Sequence, residues 1–319
     1  MTTKQPKAWK FEAIKLFKEG KGLQTIADKL GKNYFTVATH IHRHKDSGKF
    51  DEPVLIPEPI MHSVGCTVKR QPIIFVIGDT QVKQGCDLAY IHWVGAYIAR
   101  KKPDIIVHLG DHFDMASLSS YDVGKLSAEG KRFAEDIKAG NDALFIIESY
   151  IKAVPNYNPR KVVTLGNHED RITRFVADNP ALDGFLGSHL FDFEKYGWEV
   201  HPFLTPVVIE GIMFVHYVIN QNTGKPLGQA MPTRLKEVGR SFVMGHQQTF
   251  AYHERGLVTG EMQMGLVVGA CYDHDEAYKG VQGNHHFRGC VMLYEVQDGY
   301  AMHKKITLRH MKNVFEGSV

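Results

Sequence analysis

At 319 residues the chain is long enough for one large domain beside a small one, and 43% hydrophobic with 23% charged residues places it among ordinary globular proteins. No segment approaches the roughly 18 uninterrupted apolar residues of a membrane span, and the N-terminus lacks the continuous apolar core of a secretory signal, which excludes membrane and exported classes. The net charge of +3 is uneven: residues 1–50 hold eleven Lys/Arg against four Asp/Glu, net +7, so the remainder is −4. Cys66, Cys86, Cys271 and Cys290 are scattered without a CxxC pair and read as reduced thiols, neither staples nor zinc ligands, consistent with a cytoplasmic location.

The first element is basic and helical. In AWKFEAIKLFKEG, residues 8–20, Trp9, Ala13, Ile14 and Phe17 share one helical face and Gly20 is a stop. Ile26, Ala27 and Leu30 give a short second helix, Gly31 permits a tight turn, and Asn33 can cap a third helix whose inner face is Val37 and Ile41. The pattern I-A-x-x-L-G-x-x-x-x-T-V-x-x-x-I resembles the helix-turn-helix of many site-specific recombinases and bacterial regulators, with Lys32 where a small apolar residue is usual. That resemblance implies a nucleic-acid-binding module over residues 1–47. It would offer Tyr34, Thr36, Thr39, His40 and Arg43 to a groove and Lys32 and Lys45 to phosphates, with DNA favoured over RNA. A solvated basic face used for protein contact is the competing reading. Residues 48–72, with three prolines before residue 60 and no sustained periodicity, read as a linker.

From residue 73 a repeated grammar begins. IIFVIGD, DIIVHLGD and KVVTLGNHED are short β-rich runs that end directly in Gly and then Asp or Asn. With helical stretches at 88–101 and 129–153 they predict an α/β core, and residues just beyond such strand ends gather at one sheet edge. PVVIEGIMFVHY, SFVMGHQQ and CVMLYEVQDGYAMHKKITL make the second half strand-rich, so the body at 73–319 is expected to be two packed mixed sheets flanked by helices in four layers. The strand-end set is Asp79, Asp111, Asp114, Asn167, His168, His216 and His246. Carboxylate and amide oxygens mixed with imidazoles suit Mn²⁺, Fe²⁺ or Zn²⁺ and do not suit a thiolate site.

GDHFD at 110–114, GNHE at 166–169, the lone histidine of FVHY, and GHQQ at 245–248 resemble, in order, the motifs of calcineurin-like metallophosphoesterases. The resemblance spans about residues 73–300 and implies a two-metal site. Asp111 would bridge; Asn167, His216 and His246 would complete the second metal; Asp79 would belong to the first. His168 would act on the scissile phosphate as general acid or electrostatic stabiliser, oriented by Asp114. Similar two-part chains occur among phage and prophage proteins, which would make the host cytoplasm the site of action.

The family's two histidines on the first metal are replaced here by Gln81 and Gln248. Amide oxygens are neutral and weaker donors, so that position should bind loosely and prefer Mn²⁺ or Mg²⁺ over Zn²⁺, beside one tight site. Arg171, Arg174, His112 and His253 are candidates for contacts to substrate phosphate, although an exposed arginine is often only solvated. QGNHHFRG repeats the letters GNH without a preceding strand, so His285 and His286 are not taken as a second metal motif. The leading expectation is a phosphodiesterase or nuclease acting on nucleic acid. A phosphomonoesterase, and a DNA-binding protein with a degenerate metal domain, are the alternatives.

Overall fold

Three helices form in the basic segment: α1 at Ala8–Lys18, α2 at Leu23–Leu30 and α3 at Tyr34–Asp46. Gly31 ends α2 at φ 55°, a left-handed conformation that a side chain disfavours, and its N–H donates to the Ala27 and Asp28 carbonyls. Asn33 Oδ1 accepts from the Phe35 N–H at 2.9 Å, capping α3. Ala13, Leu16, Ile26, Ala27, Val37 and Ile41 are buried together, with Trp9 and Phe17 packed against them. Leu16, outside the face expected for α1, takes a central place, whereas Ile14 is only half-buried.

The computed structural model describes residues 8–46, 70–122, 124–126, 129–276 and 279–317. Most of the linker expected at 48–72, together with Cys66, lies outside the described residues. The chain divides into two units, residues 1–68 and 69–319, each a separate body.

The larger unit holds two mixed sheets. The first joins β1 (Ile74–Ile77), β2 (Ile105–His108), β3 (Arg160–Thr164) and β4 (Glu199–His201) in parallel, and β10 (Gly289–Gln297) and β11 (Tyr300–Thr307) extend it antiparallel beside β1. The second runs in the order β5 (Val207–Ile209), β6 (Ile212–Val215), β7 (Phe242–Met244), β9 (Met262–Val267), β8 (Ala251–Gly256), with β6, β7 and β9 parallel. Strand alternation divides the apolar residues between two faces. Ile74, Val76, Val107, Phe214, Val243 and Leu266 fill the space between the sheets. Phe75 and Ile77 point outward to helices α4 (Ala89–Lys101), α5 (Phe133–Lys152) and α9 (Leu308–Phe315), while Phe242 and Met244 meet α7 (Met231–Val238). The result is the four-layer arrangement that the strand grammar implies.

A buried ion pair fixes β3. Lys161 Nζ lies 2.8 Å from Glu148 Oε2 on α5, and Trp198 Nε1–H donates to the other carboxylate oxygen at 2.8 Å. Removing one partner would leave a buried charge uncompensated, at a cost of about 3–5 kcal/mol. Because β1, β2 and β3 are parallel, their carboxyl ends open on one edge, and the loops after β6 and β7 arrive at the same place.

Candidate metal centre

Asp79 follows β1, Asp111 follows β2, Asn167 follows β3, His216 follows β6 and His246 follows β7. His216 Nε2 sits 3.0 Å from Asn167 Oδ1 and 3.3 Å from Asp111 Oδ2. Ligand atoms of Asp111, His216 and His246 all lie within 4.8 Å of one another, a group able to hold a divalent ion. Asp79 joins them through Oδ1, which accepts from the His246 N–H at 2.9 Å. The glycines of the motifs make this approach possible. A Cβ at Gly166 would stand 2.1 Å from Asp111 Oδ1, and one at Gly245 would stand 2.7 Å from Asp79 Oδ1.

Backbone strain concentrates here. Gln81, Asp111, His246 and Gln248 adopt φ of 41°, 50°, 64° and 36°, left-handed positions that cost a non-glycine residue on the order of 1 kcal/mol or more. Each holds a donor on the inner side of its loop.

The donor set fits a cation. His216 Nδ1–H donates to the Leu109 carbonyl at 2.6 Å, which fixes the tautomer and turns Nε2 inward. Burial opposes protonation of His216, yet the charge of Asp111 and its hydrogen bond push the ring up to about 9. The same acids that attract that proton would attract a metal ion. His246 is driven down to about 4 by burial and by the neighbouring His216, so it is a neutral ligand at pH 7. Burial raises Asp79 to about 7, aided by the charge of Asp111. For Asp111 burial works upward, but the charges of His168 and His216 outweigh it and hold the carboxyl well below its usual range. Asp79 Oδ2 and Gln81 Oε1 are buried and lack a hydrogen-bond partner. Two orphaned acceptors in one pocket are costly unless a cation satisfies them. Gln248 differs: its Oε1 accepts from the Tyr272 hydroxyl at 2.8 Å.

Beside this group, His168 Nδ1 lies 2.8 Å from Asp114 Oδ1 and 2.9 Å from the Asp114 carbonyl, and its Nε2 is 3.7 Å from Asp111 Oδ2. Burial would lower the His168 pKa; the charge of Asp111 and the bond to Asp114 reverse that and raise it to about 9. Glu169, for which the sequence suggested no role, is 1% exposed and accepts three backbone N–H groups, from Asp111, Phe113 and Gly166, at 2.8–2.9 Å. It ties the second loop to the third.

Other expected substrate contacts lie elsewhere. His112 is fully buried, with its ring nitrogens engaged by Thr80 Oγ1 at 2.8 Å and the Gly140 carbonyl at 2.9 Å, so it supports the loop and does not face the cleft. Arg171 donates to the Asp114 and Met115 carbonyls at 2.8 and 3.2 Å and braces that turn. Arg174 is half-exposed, bonds the Asn167 carbonyl at 3.0 Å and pairs with Asp170. His253 lies on edge strand β8 opposite Gly265, away from the cleft lining. The cleft itself, about 390 Å³, is lined by Gln81, Asp111, His168, His246 and Gln248, joined by Gln247, Thr249, Lys279 and His286. Lys279 and His286 come from a segment without strand periodicity, so only their chemical type could have suggested them.

In the three-helix unit, Lys32, Tyr34, Thr36, Thr39 and Arg43 are exposed. His40 is half-buried against Trp9, its Nε2 3.2 Å from the Lys10 carbonyl, and the Lys45 ammonium lies 4.8 Å from the Phe17 ring centroid. Phe35, absent from the expected set, is 74% exposed and lines a groove of about 460 Å³ with Trp9, Lys10, Thr36, Thr39 and Arg43.

No helix among the described residues is long and apolar enough to cross a membrane. No curated protein matches the chain. One solved structure aligns over 75% of this chain and all of its own, at 13% identity and a TM-score of 0.32. The family model for calcineurin-like phosphoesterases matches residues 73–258, the span that carries every motif of the metal centre. The chain therefore belongs to the calcineurin-like phosphoesterase family and is a metal-dependent phosphoric ester hydrolase.

Proposed function

We propose that the protein is a phosphodiesterase acting on nucleic acid, and that its three-helix unit binds the polymer as a helix-turn-helix. The observation that carries this reading is the division of α3. Val37 and Ile41 are buried, while Lys32, Tyr34, Thr36, Thr39 and Arg43 stand exposed on a segment of net charge +7. Hydroxyl and guanidinium groups at this spacing can meet base edges and phosphates in a groove, and Lys32 sits at the amino end of the helix.

At the metal centre, the proposed ligands are Asp111, Asn167, His216 and His246 for one position and Asp79 with Gln81 for the other. Divalent ions there supply Lewis acidity and lower the pKa of water. Oxygen donors at the Gln81 position favour Mn²⁺ or Mg²⁺. The chain's own contribution is proton management. Asp114 holds the His168 Nδ1 side, leaving Nε2 near Asp111 at the cleft, where an imidazolium can stabilise the phosphoryl oxygens or protonate a departing alkoxide.

Hydrolysis of bis-p-nitrophenyl phosphate and p-nitrophenyl phosphate with added Mn²⁺ separates the proposal from a phosphomonoesterase. A preference for the diester supports it, and a preference for the monoester rejects it. Binding of full-length Lys32→Ala/Arg43→Ala to duplex DNA should weaken uniformly across sequences and lose salt dependence. Unchanged affinity and salt slope would remove the three-helix unit from nucleic-acid binding.

A further inference from the structure

Gln248 occupies a position where the resemblance leads one to expect a metal ligand, yet its carbonyl oxygen is already engaged. Tyr272 is fully buried, and its hydroxyl donates to Gln248 Oε1 at 2.8 Å while accepting from Lys279 Nζ at 3.0 Å. The proton inventory fixes the direction of both bonds. An ammonium can only donate, so the phenol oxygen accepts from Lys279 and spends its single proton on the glutamine. Turning the amide over would set Nε2–H₂ against a phenol oxygen that already accepts and would leave the phenolic proton without its acceptor. Oε1 is thus committed to Tyr272, and Nε2 is the amide end left for the cleft, whose lining includes Gln248 and Lys279 together with Asp111 and His168.

We infer that Gln248 Nε2 and Lys279 Nζ form a donor pair for the non-bridging oxygens of the substrate phosphoryl group, with Tyr272 as the positioning residue. The substitution of glutamine for histidine then does more than weaken a metal position. It exchanges a metal-facing acceptor for an anion-facing donor, and Lys279 adds a positive charge beside it. Two donors aimed at the same anion give orientation as well as attraction. The substrate class is any phosphoryl group with two accessible non-bridging oxygens, which includes the phosphodiester proposed above.

Orthophosphate is the probe, titrated calorimetrically into the Mn²⁺-supplemented full-length protein, with bound Mn²⁺ measured separately in each variant. Gln248→Met and Lys279→Met should each weaken phosphate binding by ~10-fold, as expected when a hydrogen bond to a charged group is lost, with Mn²⁺ affinity and stoichiometry unchanged. Lys279→Arg should restore most of the loss. Tyr272→Phe keeps the ring, releases the amide and should weaken phosphate by a smaller factor, ~3-fold, again with Mn²⁺ unchanged. Weaker Mn²⁺ binding in Gln248→Met would make the residue a metal ligand and overturn the inference. Unchanged phosphate affinity in Lys279→Met and in either Gln248→Met or Tyr272→Phe would overturn it while leaving the family's hydrolytic chemistry intact. No phosphate binding by the wild type, with Mn²⁺ bound, would reject a phosphate-binding cleft altogether.

Discussion

Asp114 Oδ1 lies 2.8 Å from His168 Nδ1, so the position of one proton on the imidazole is set by a carboxylate from a different loop. Burial favours the neutral ring, but the nearby Asp111 charge and this hydrogen bond hold His168 up to about 9. The pair couples the second strand-end loop to the third, the same two loops that Glu169 ties together.

His168→Ala should keep the metal and lose on the order of 10²–10⁴ in rate, the range for a positioned proton donor. Asp114→Asn should lose less, since it releases the tautomer and keeps the ring. Elemental analysis alongside kcat is the measurement. Full activity in His168→Ala would remove the ring from the chemistry, and loss of metal would make it a ligand.

Asp111→Asn and His246→Ala remove members of the group whose donor atoms lie within 4.8 Å. Both should abolish hydrolysis and most metal uptake. Undiminished metal in the two purified variants would refute their assignment as ligands.

Strand ends were legible in the sequence because a buried β-run followed by glycine and a polar residue has one physical use: bringing that residue to a sheet edge. Asp79, Asp111, Asn167, His216 and His246 were found this way. Direction within a loop was not legible. His112 sits one residue from Asp111, yet it turns into the packing beneath the loop and bonds Thr80 and Gly140. Arg171 likewise turns back to brace the carbonyls of residues 114 and 115. Glu169 was visible only as the last letter of GNHE; its three accepted N–H groups depend on loops far apart in the chain. Lys279 and Tyr272 follow no periodicity, and their link to Gln248 exists only in three dimensions.

Glu169→Gln tests that clamp. An amide offers one acceptor oxygen in place of two, so at least one of the three N–H groups meets an NH₂ or loses its partner. Hydrogen bonds to a buried charged group are worth about 1.5–3 kcal/mol, and stability should fall by roughly that amount. Urea unfolding of metal-free protein gives the value. A change below about 0.5 kcal/mol would show that the loops hold their shape without it.

The buried His112 sets an acid limit. Burial lowers its pKa from 6.5 to about 4, partly opposed by its bond to the Gly140 carbonyl. Above pH 6.5 neither folded nor unfolded ring is protonated and no stability is lost. As pH falls from 6.5 towards 4 the unfolded ring takes up a proton that the folded ring refuses. Stability therefore drops across that window, by up to about 3 kcal/mol. No charged group contributes to this shift, so metal removal should not alter it. Imidazole NMR of metal-free protein should show His112 neutral at pH 5.5; titration near 6.5 would contradict the burial.

The two glutamines should behave differently, and the difference separates the two metal positions. Gln81 Oε1 is buried without a partner beside the equally orphaned Asp79 Oδ2, whereas Gln248 Oε1 is held by Tyr272. Only Gln81 has an oxygen available to a cation. Wild-type protein should therefore bind one divalent ion tightly at Asp111, His216 and His246, and a second weakly at Asp79 and Gln81, with activity rising as Mn²⁺ is added. Gln81→His supplies a stronger, softer donor at the weak position. It should tighten that position by about tenfold or more and turn its preference from Mn²⁺ towards Zn²⁺. Gln248→His should do less, because the ring must first replace an amide engaged with Tyr272. Calorimetry with Mn²⁺ and Zn²⁺ on wild type and both single variants measures this. Two equally tight sites in the wild type, or a weak site unmoved by Gln81→His, would show that Gln81 does not face a metal ion.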